Sequence, residues 1–183
     1  MKKLTYEELL VERKTIDEAK SSARHPISII VDNVRSIYNV GSIFRTSDSA
    51  ALEKLYLCGL TPHPPREEIS KTALDAEKTV PWQYFEKTTD AVLEAKKKGN
   101  TVIALELTDK HRNYTSLKKT EFPLTIVVGN ELTGIDNEVL SLCDDVVEIP
   151  MHGVKHSLNV SVSTGIMLFE ALNKYLNYFS KEL

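Results

Sequence analysis

The 183-residue chain reads as an α/β protein, a mainly parallel sheet with helices on both faces. Two observations predict this. Five short runs, at 27–31, 54–58, 101–107, 124–128 and 145–149, are apolar or β-branched almost throughout, as strands buried on both faces are. Stretches with helical spacing separate them, and strands alternating with helices build a parallel sheet with crossover connections.

The elements follow in order. Residues 5–20 predict an amphipathic helix: Thr5 and Glu8 fit a capping box, and Leu9, Leu10, Arg13 and Ile16 fall at helical spacing. Residues 21–26 break that pattern. Further helices are expected at about 40–51, 66–74, 88–98 and 135–142, with a long final one from about 160 to 179. The Thr-Pro-His-Pro-Pro stretch at 61–65 is a loop, and Pro81 and Pro123 punctuate later connections. The final helix carries Val160, Val162, Ile166, Met167, Phe169, Leu172, Tyr175, Leu176 and Phe179. That is more than one apolar stripe, so it is either deeply buried or half-covered by a partner. No repeat or linker interrupts 26–183, which is expected to be one domain preceded by a helical extension at 1–25.

Composition narrows the function. With 42% hydrophobic and 27% charged residues the chain is an ordinary globular protein rather than a disordered one. Its 23 Lys+Arg against 26 Asp+Glu give a formal charge of −3. Proteins that hold nucleic acid by bulk charge are strongly basic, so any such contact here needs a local patch, shape recognition or a second copy. No apolar run approaches the roughly 20 residues that span a bilayer. Acidic residues follow Lys2 and Lys3 where a signal peptide would be apolar. Two cysteines, Cys58 and Cys143, both in apolar segments, suit a reducing compartment, so a cytoplasmic location is expected.

In a parallel sheet, ligands sit beyond the carboxyl ends of the strands. Three polar segments fall there, at 32–48, 129–136 and 150–164. The seven glycines are all isolated and none forms GxGxxG. Gly129 and Gly134 have the glycine spacing of a phosphate-binding loop, but Ile135 and Asp136 stand where Lys and Ser or Thr would follow. No GxSxG surrounds a serine. His152 and His156 are four apart, a metal-pair spacing on a helix. Gly153 and Pro150 favour a loop there, and a solvated or RNA-facing pair, so no metal is expected.

The three segments DNVRSIYNVGSIFRTSD (32–48), IVVGNELTGI (126–135) and IPMHGVKHSLNVSVSTG (149–165) resemble, in order and spacing, the three motifs of the SPOUT methyltransferases, in their TrmH (SpoU) branch. The likeness runs from about 27 to 175. It implies an S-adenosylmethionine (SAM)-dependent 2′-O-ribose methyltransferase acting on tRNA or rRNA, with S-adenosylhomocysteine as product. It also implies a deep C-terminal trefoil knot, which nothing in the periodicity reveals, and a homodimer with the active site near the contact between protomers.

Carried over residue by residue, the likeness makes Arg45 the group that activates the ribose hydroxyl; otherwise Arg45 reads as a helical i,i+3 partner of Asp48. A guanidinium with a pKa of about 12.5–13.8 hardly ever gives up its proton. Gripping the adjacent phosphate, with that phosphate or a water taking the proton, is the more defensible role. Asn39, six residues earlier, is expected in the loop or at the N-cap before the helix carrying Arg45, where it would cap or position the RNA. Glu131, otherwise a solvated carboxylate at a strand end, arranges the site. Ser157 and Asn159, otherwise helix caps, join the catalytic group. Gly129, Ile149 and Leu158, with Leu105 and Met151, receive the cofactor, Gly129 by letting the backbone approach it without a Cβ; the apolar members otherwise read as core. Recognition of a 2′-hydroxyl makes the substrate RNA, with Lys2, Lys3, Arg13, Lys14, Lys20, Arg24, Arg35 and Lys155 as candidate contacts. A catalytically silent RNA-binding protein on this scaffold and a small-molecule nucleotide enzyme are the alternatives. With no separate RNA-binding module in view, RNA selection is expected from the catalytic dimer, its short helical arm or a partner.

Overall fold

A computed structural model describes residues 1–179. In chain order the elements are α1 (Tyr6–Glu12), α2 (Ile16–Ser21), β1 (His25–Asp32), α3 (Ile37–Ser49), β2 (Leu52–Cys58), α4 (Glu67–Ala73), α5 (Ala76–Thr79), β3 (Trp82–Phe85), α6 (Thr88–Lys97), β4 (Thr101–Leu105), β5 (Arg112–Asn113), β6 (Leu124–Val128), α7 (Asn137–Leu142), β7 (Asp145–Glu148) and α8 (Val160–Phe179). The strands form one sheet in the order β3-β2-β1-β6-β4-β7-β5, and every adjacent pair is parallel. All the strands therefore end on the same edge.

The apolar runs bury both their faces. Ile27, Ile29 and Val31 of β1, with Leu124, Ile126 and Val128 of β6, join Ile43 and Phe44 of α3 and Met167 and Leu168 of α8 in one core. Ile30 and Val127, on the opposite faces of the same strands, pack with Ala91 and Val92 of α6 and Val139 of α7 in a second. The two-residue period of a strand divides each run between the two layers.

Several boundaries differ from expectation. The single helix expected over 5–20 is two helices, because Thr15 and Glu18 make a second capping box as complete as that of Thr5 and Glu8. The reciprocal cap satisfies the orphan amides of a new helix start, and the chain breaks there. Two strands were not foreseen: β3, whose middle residues are exposed, and the two-residue β5. Neither is long or apolar enough to register as a period. Asn39 is neither loop nor cap: Ser36 is the N-cap, its Oγ accepting the Asn39 N–H at 3.3 Å, so Asn39 lies in the first turn of α3. It shares one continuous helix with Arg45, offset by about 120° around the axis. Of the expected domain at 26–183, residues 180–183 lie outside the described residues.

Candidate active site

At the carboxyl edge of the sheet, the segments after β4, β6 and β7, with the start of α8, enclose a cleft of about 310 Å³, at the small end of the range for ligand sites. Leu105, Gly129, Ile149, Met151 and Leu158 all line it, as do Glu131, Ser157 and Asn159. Eight of the ten residues singled out from the sequence therefore share one space. Asn39 and Arg45 do not line it.

Asn39 is nevertheless wired to it. Its Nδ2 donates to Glu131 Oε1 at 2.9 Å, and its Oδ1 accepts from Asn159 Nδ2 at 3.0 Å. The carboxylate of Glu131 also accepts the backbone N–H groups of Arg35 and Ser36, both at 3.1 Å. Asn159 Oδ1 accepts the Ser161 N–H at 2.9 Å, capping α8. One hydrogen-bonded chain thus joins the starts of α3 and α8 to the loop after β6. Burial by itself would raise the Glu131 carboxyl; the donors from Asn39, Arg35 and Ser36 outweigh it and hold the group below its ordinary value.

Arg45 lies on the exposed side of α3. The i,i+3 pair with Asp48 does not form: Asp48 Oδ1 accepts the Thr79 hydroxyl instead. Ser157 lines the cleft from the irregular segment between β7 and α8. His152 and His156 lie in that same segment, not on a helix, and only His156 reaches the cleft.

Gly129 has a reason internal to its own loop as well. A Cβ there would stand 2.3 Å from the carbonyl carbon of Gly134 and 2.4 Å from the nitrogen of Ile135. The glycine lets the 129–135 loop close on itself, where Asn130 and Gly134 exchange N–H···O bonds of 3.0 Å in both directions. Asn130 completes the turn, its Oδ1 accepting the Leu132 and Thr133 amides and its Nδ2 reaching Asn33 O at 2.7 Å.

Two carboxylates in this region escaped the sequence reading. Glu106, just past β4, lines the cleft. Asp32, the last residue of β1, is 1% exposed. A carboxylate directly after an apolar strand run was the available signal; Glu106 was absorbed into a strand expected to reach 107. Glu148 joins Glu106 and Glu131 as a cleft carboxylate and is paired with His111 Nε2 at 2.8 Å.

Two members of the basic set in the N-terminal extension make contacts within the chain. Arg24 donates to the carbonyls of Leu52, Ala19 and Thr79 at 3.1, 3.1 and 2.6 Å, clamping the extension to the domain. Lys2 pairs with Glu8 at 2.6 Å. On α8, Val162, Phe169 and Leu176 recur every seven residues with exposures of 51%, 47% and 41%, an apolar stripe on the side away from the core. Among the described residues no helix is long and apolar enough to cross a membrane.

The model of the SpoU rRNA Methylase family matches residues 26–169. The tRNA (guanosine(18)-2′-O)-methyltransferase of Aquifex aeolicus is 32% identical over 173 residues, covering 92% of this chain and 80% of its own. The 23S rRNA (guanosine-2′-O-)-methyltransferase RlmB of Vibrio vulnificus is 30% identical over 161 residues, covering 88% and 64% respectively. The crystal structure of an AdoMet-bound rRNA methyltransferase from Sinorhizobium meliloti aligns with a TM-score of 0.76 at 28% identity, covering 86% of this chain and 59% of that one.

Proposed function

The chain belongs to the SpoU rRNA Methylase family, and from that premise we propose that it transfers a methyl group from SAM to a ribose 2′-hydroxyl of tRNA or rRNA. The observation that carries this reading is the cleft lined by Gly129, Ile149 and Leu158, with the 32–48 segment joined to it through the bond from Asn39 to Glu131.

The lining suits the donor. Leu105, Ile149, Met151 and Leu158 offer apolar surface for a purine, while Glu106, Glu131 and Glu148 bring carboxylates and no Lys or Arg intrudes. Such a wall favours a cationic guest and opposes entry of a phosphate. SAM supplies a methyl group already activated by a sulfonium, so the protein's work is alignment of the attacking oxygen and exclusion of water. Arg45 grips the substrate phosphate, with that phosphate or a water taking the hydroxyl proton. Asn39, Glu131, Ser157 and Asn159 orient the ribose, and S-adenosylhomocysteine leaves as product.

The working unit of this proposal is a homodimer with the site near the protomer contact, supported by the Val162–Phe169–Leu176 stripe, whose seven-residue repeat is that of a helix-packing seam. The domain runs over 26–183 with 1–25 as a helical extension, a division supported by α1 and α2 both preceding the first strand of the sheet. A trefoil knot in the C-terminal segment belongs to the same reading. A cytoplasmic location belongs to the same reading, supported by the presence of only two cysteines, Cys58 and Cys143, both free.

The test is incubation with methyl-labelled SAM and total RNA, followed by digestion to nucleosides. Label in a 2′-O-methylnucleoside supports the reading; RNA binding with no label in any nucleoside overturns it. The Arg45→Ala variant should lose transfer while binding S-adenosylhomocysteine as the parent does, because Arg45 does not line the cleft.

A further inference from the structure

The loop after β6 bears Glu131, and its ties run both to the segment after β1, through Asn130 and Glu131, and to the strands on either side. The Asn130–Gly134 closure is internal and moves with the loop. Of its outward ties, two fall on consecutive amides. The Ile135 N–H donates to Glu106 Oε2 at 3.0 Å, and the Asp136 N–H donates to Asp32 Oδ2 at 3.0 Å. The two acceptors come from the ends of β4 and β1, the strands that flank β6 on either side.

Both carboxylates are held in turn. Glu106 Oε1 accepts the Leu107 N–H at 2.8 Å. Asp32 Oδ1 accepts from Asn33 Nδ2 at 2.9 Å and from the Thr88 hydroxyl. Glu106 is also pressed against Gly134, at φ +70°, where a Cβ would stand 2.4 Å from Oε2. The close approach requires the glycine.

We propose that Glu106 and Asp32 are positioning residues for methyl transfer: from the two neighbouring strands they grip adjacent amides of the 129–136 loop, and so fix the distance from Glu131 to Asn39 and the shape of the cleft. The proposal rests on the methyltransferase reading for its functional consequence, but the brace itself does not. Carboxylates suit this role because each oxygen only accepts. An amide in place of Glu106 would turn a donor toward either the Leu107 or the Ile135 N–H, leaving one amide unmatched.

Glu106→Gln and Asp32→Asn, singly and together, test it by hydrogen exchange of the free protein, calorimetric binding of S-adenosylhomocysteine, and kcat and KM for transfer to RNA. Exchange at 130–136 should quicken about tenfold or more while β1 and β6 keep their protection, since a loop can open locally without the sheet. S-adenosylhomocysteine binding should weaken, and kcat should fall about 10- to 100-fold, as displacement of a positioning group by an ångström does. Gly134→Ala, which displaces the same carboxylate by a different route, should reproduce the exchange change and add little to it in a Glu106→Ala background. Unchanged exchange at 130–136 in Glu106→Gln overturns the brace. So does a uniform loss of protection over the whole sheet, which would mark a merely structural role. A parent protein that transfers no methyl to any RNA defeats the methyltransferase reading instead, and the exchange arm still decides the brace.

Discussion

Asn39 and Glu131, 92 positions apart in the chain, meet through an Nδ2–Oε1 hydrogen bond of 2.9 Å. The bond sets the orientation of the Asn39 amide: with its nitrogen on the carboxylate, its oxygen must face Asn159. The start of α3, the loop after β6 and the start of α8 are thereby joined in one donor–acceptor sequence with a fixed direction.

That direction predicts a pH response. The folded value of Glu131 lies below its ordinary 4.5. Its contribution is therefore fully present above about pH 4.5 and is lost as the pH falls through the folded value. The protection of the Arg35 and Ser36 amides, their exchange by NMR relative to the intrinsic rate at each pH, should fall in that acidic window and stay constant from pH 5 to 8 (roughly the usual range of maximal stability). Glu131→Gln should remove the pH response.

The Asn159 side chain makes bonds of two kinds, one to Asn39 and the rest to the start of α8, and two substitutions separate them. Asn159→Ala loses the cap of α8 and should cost about 1 kcal/mol in denaturant unfolding. Asn159→Asp keeps a capping oxygen for the Ser161 amide but sets an acceptor against Asn39 Oδ1. It should leave stability close to the parent while lowering kcat about tenfold or more, and equal kcat in the Asn159→Asp variant and the parent would dissociate the network from turnover.

Gly129→Ala should abolish the cleft rather than the fold. The atoms that its Cβ would strike at 2.3 and 2.4 Å are backbone, and they can give way only by opening the loop. Binding of S-adenosylhomocysteine should weaken about tenfold or more, equivalent to roughly 1.4 kcal/mol, while circular dichroism keeps the helical signal.

Phe169→Glu on the exposed stripe of α8 should shift the protein toward monomer in sedimentation velocity. Phe169 is 47% exposed in the single chain and so is not needed for its core. A charge placed at the centre of an apolar contact is desolvated without a partner. An unchanged sedimentation coefficient, with the parent dimeric, would move the interface off α8.

The sheet and its two layers were legible because strands buried on both faces leave near-continuous apolar runs, as at 27–31 and 124–128, and the three polar segments were legible because ligand sites collect at strand ends. The start of α3 was misread: Asn39 and Ser36 are both good caps, and only the Ser36 Oγ–Asn39 N–H bond decides between them. β5 left no mark because two residues carry no period.

By itself the sequence determined the five apolar strands, which edge bears the polar loops, and that Gly129, Glu131, Ile149, Leu158 and Asn159 belong together. Tertiary structure alone decided how they are held. Glu106 and Asp32 act on the 129–136 loop only because β4 and β1 flank β6, an order of strands that no local pattern encodes. A carboxylate's neighbours are set by which strands lie side by side, and hydrogen bonds between residues 29 and 104 positions apart exist only once the sheet has been assembled.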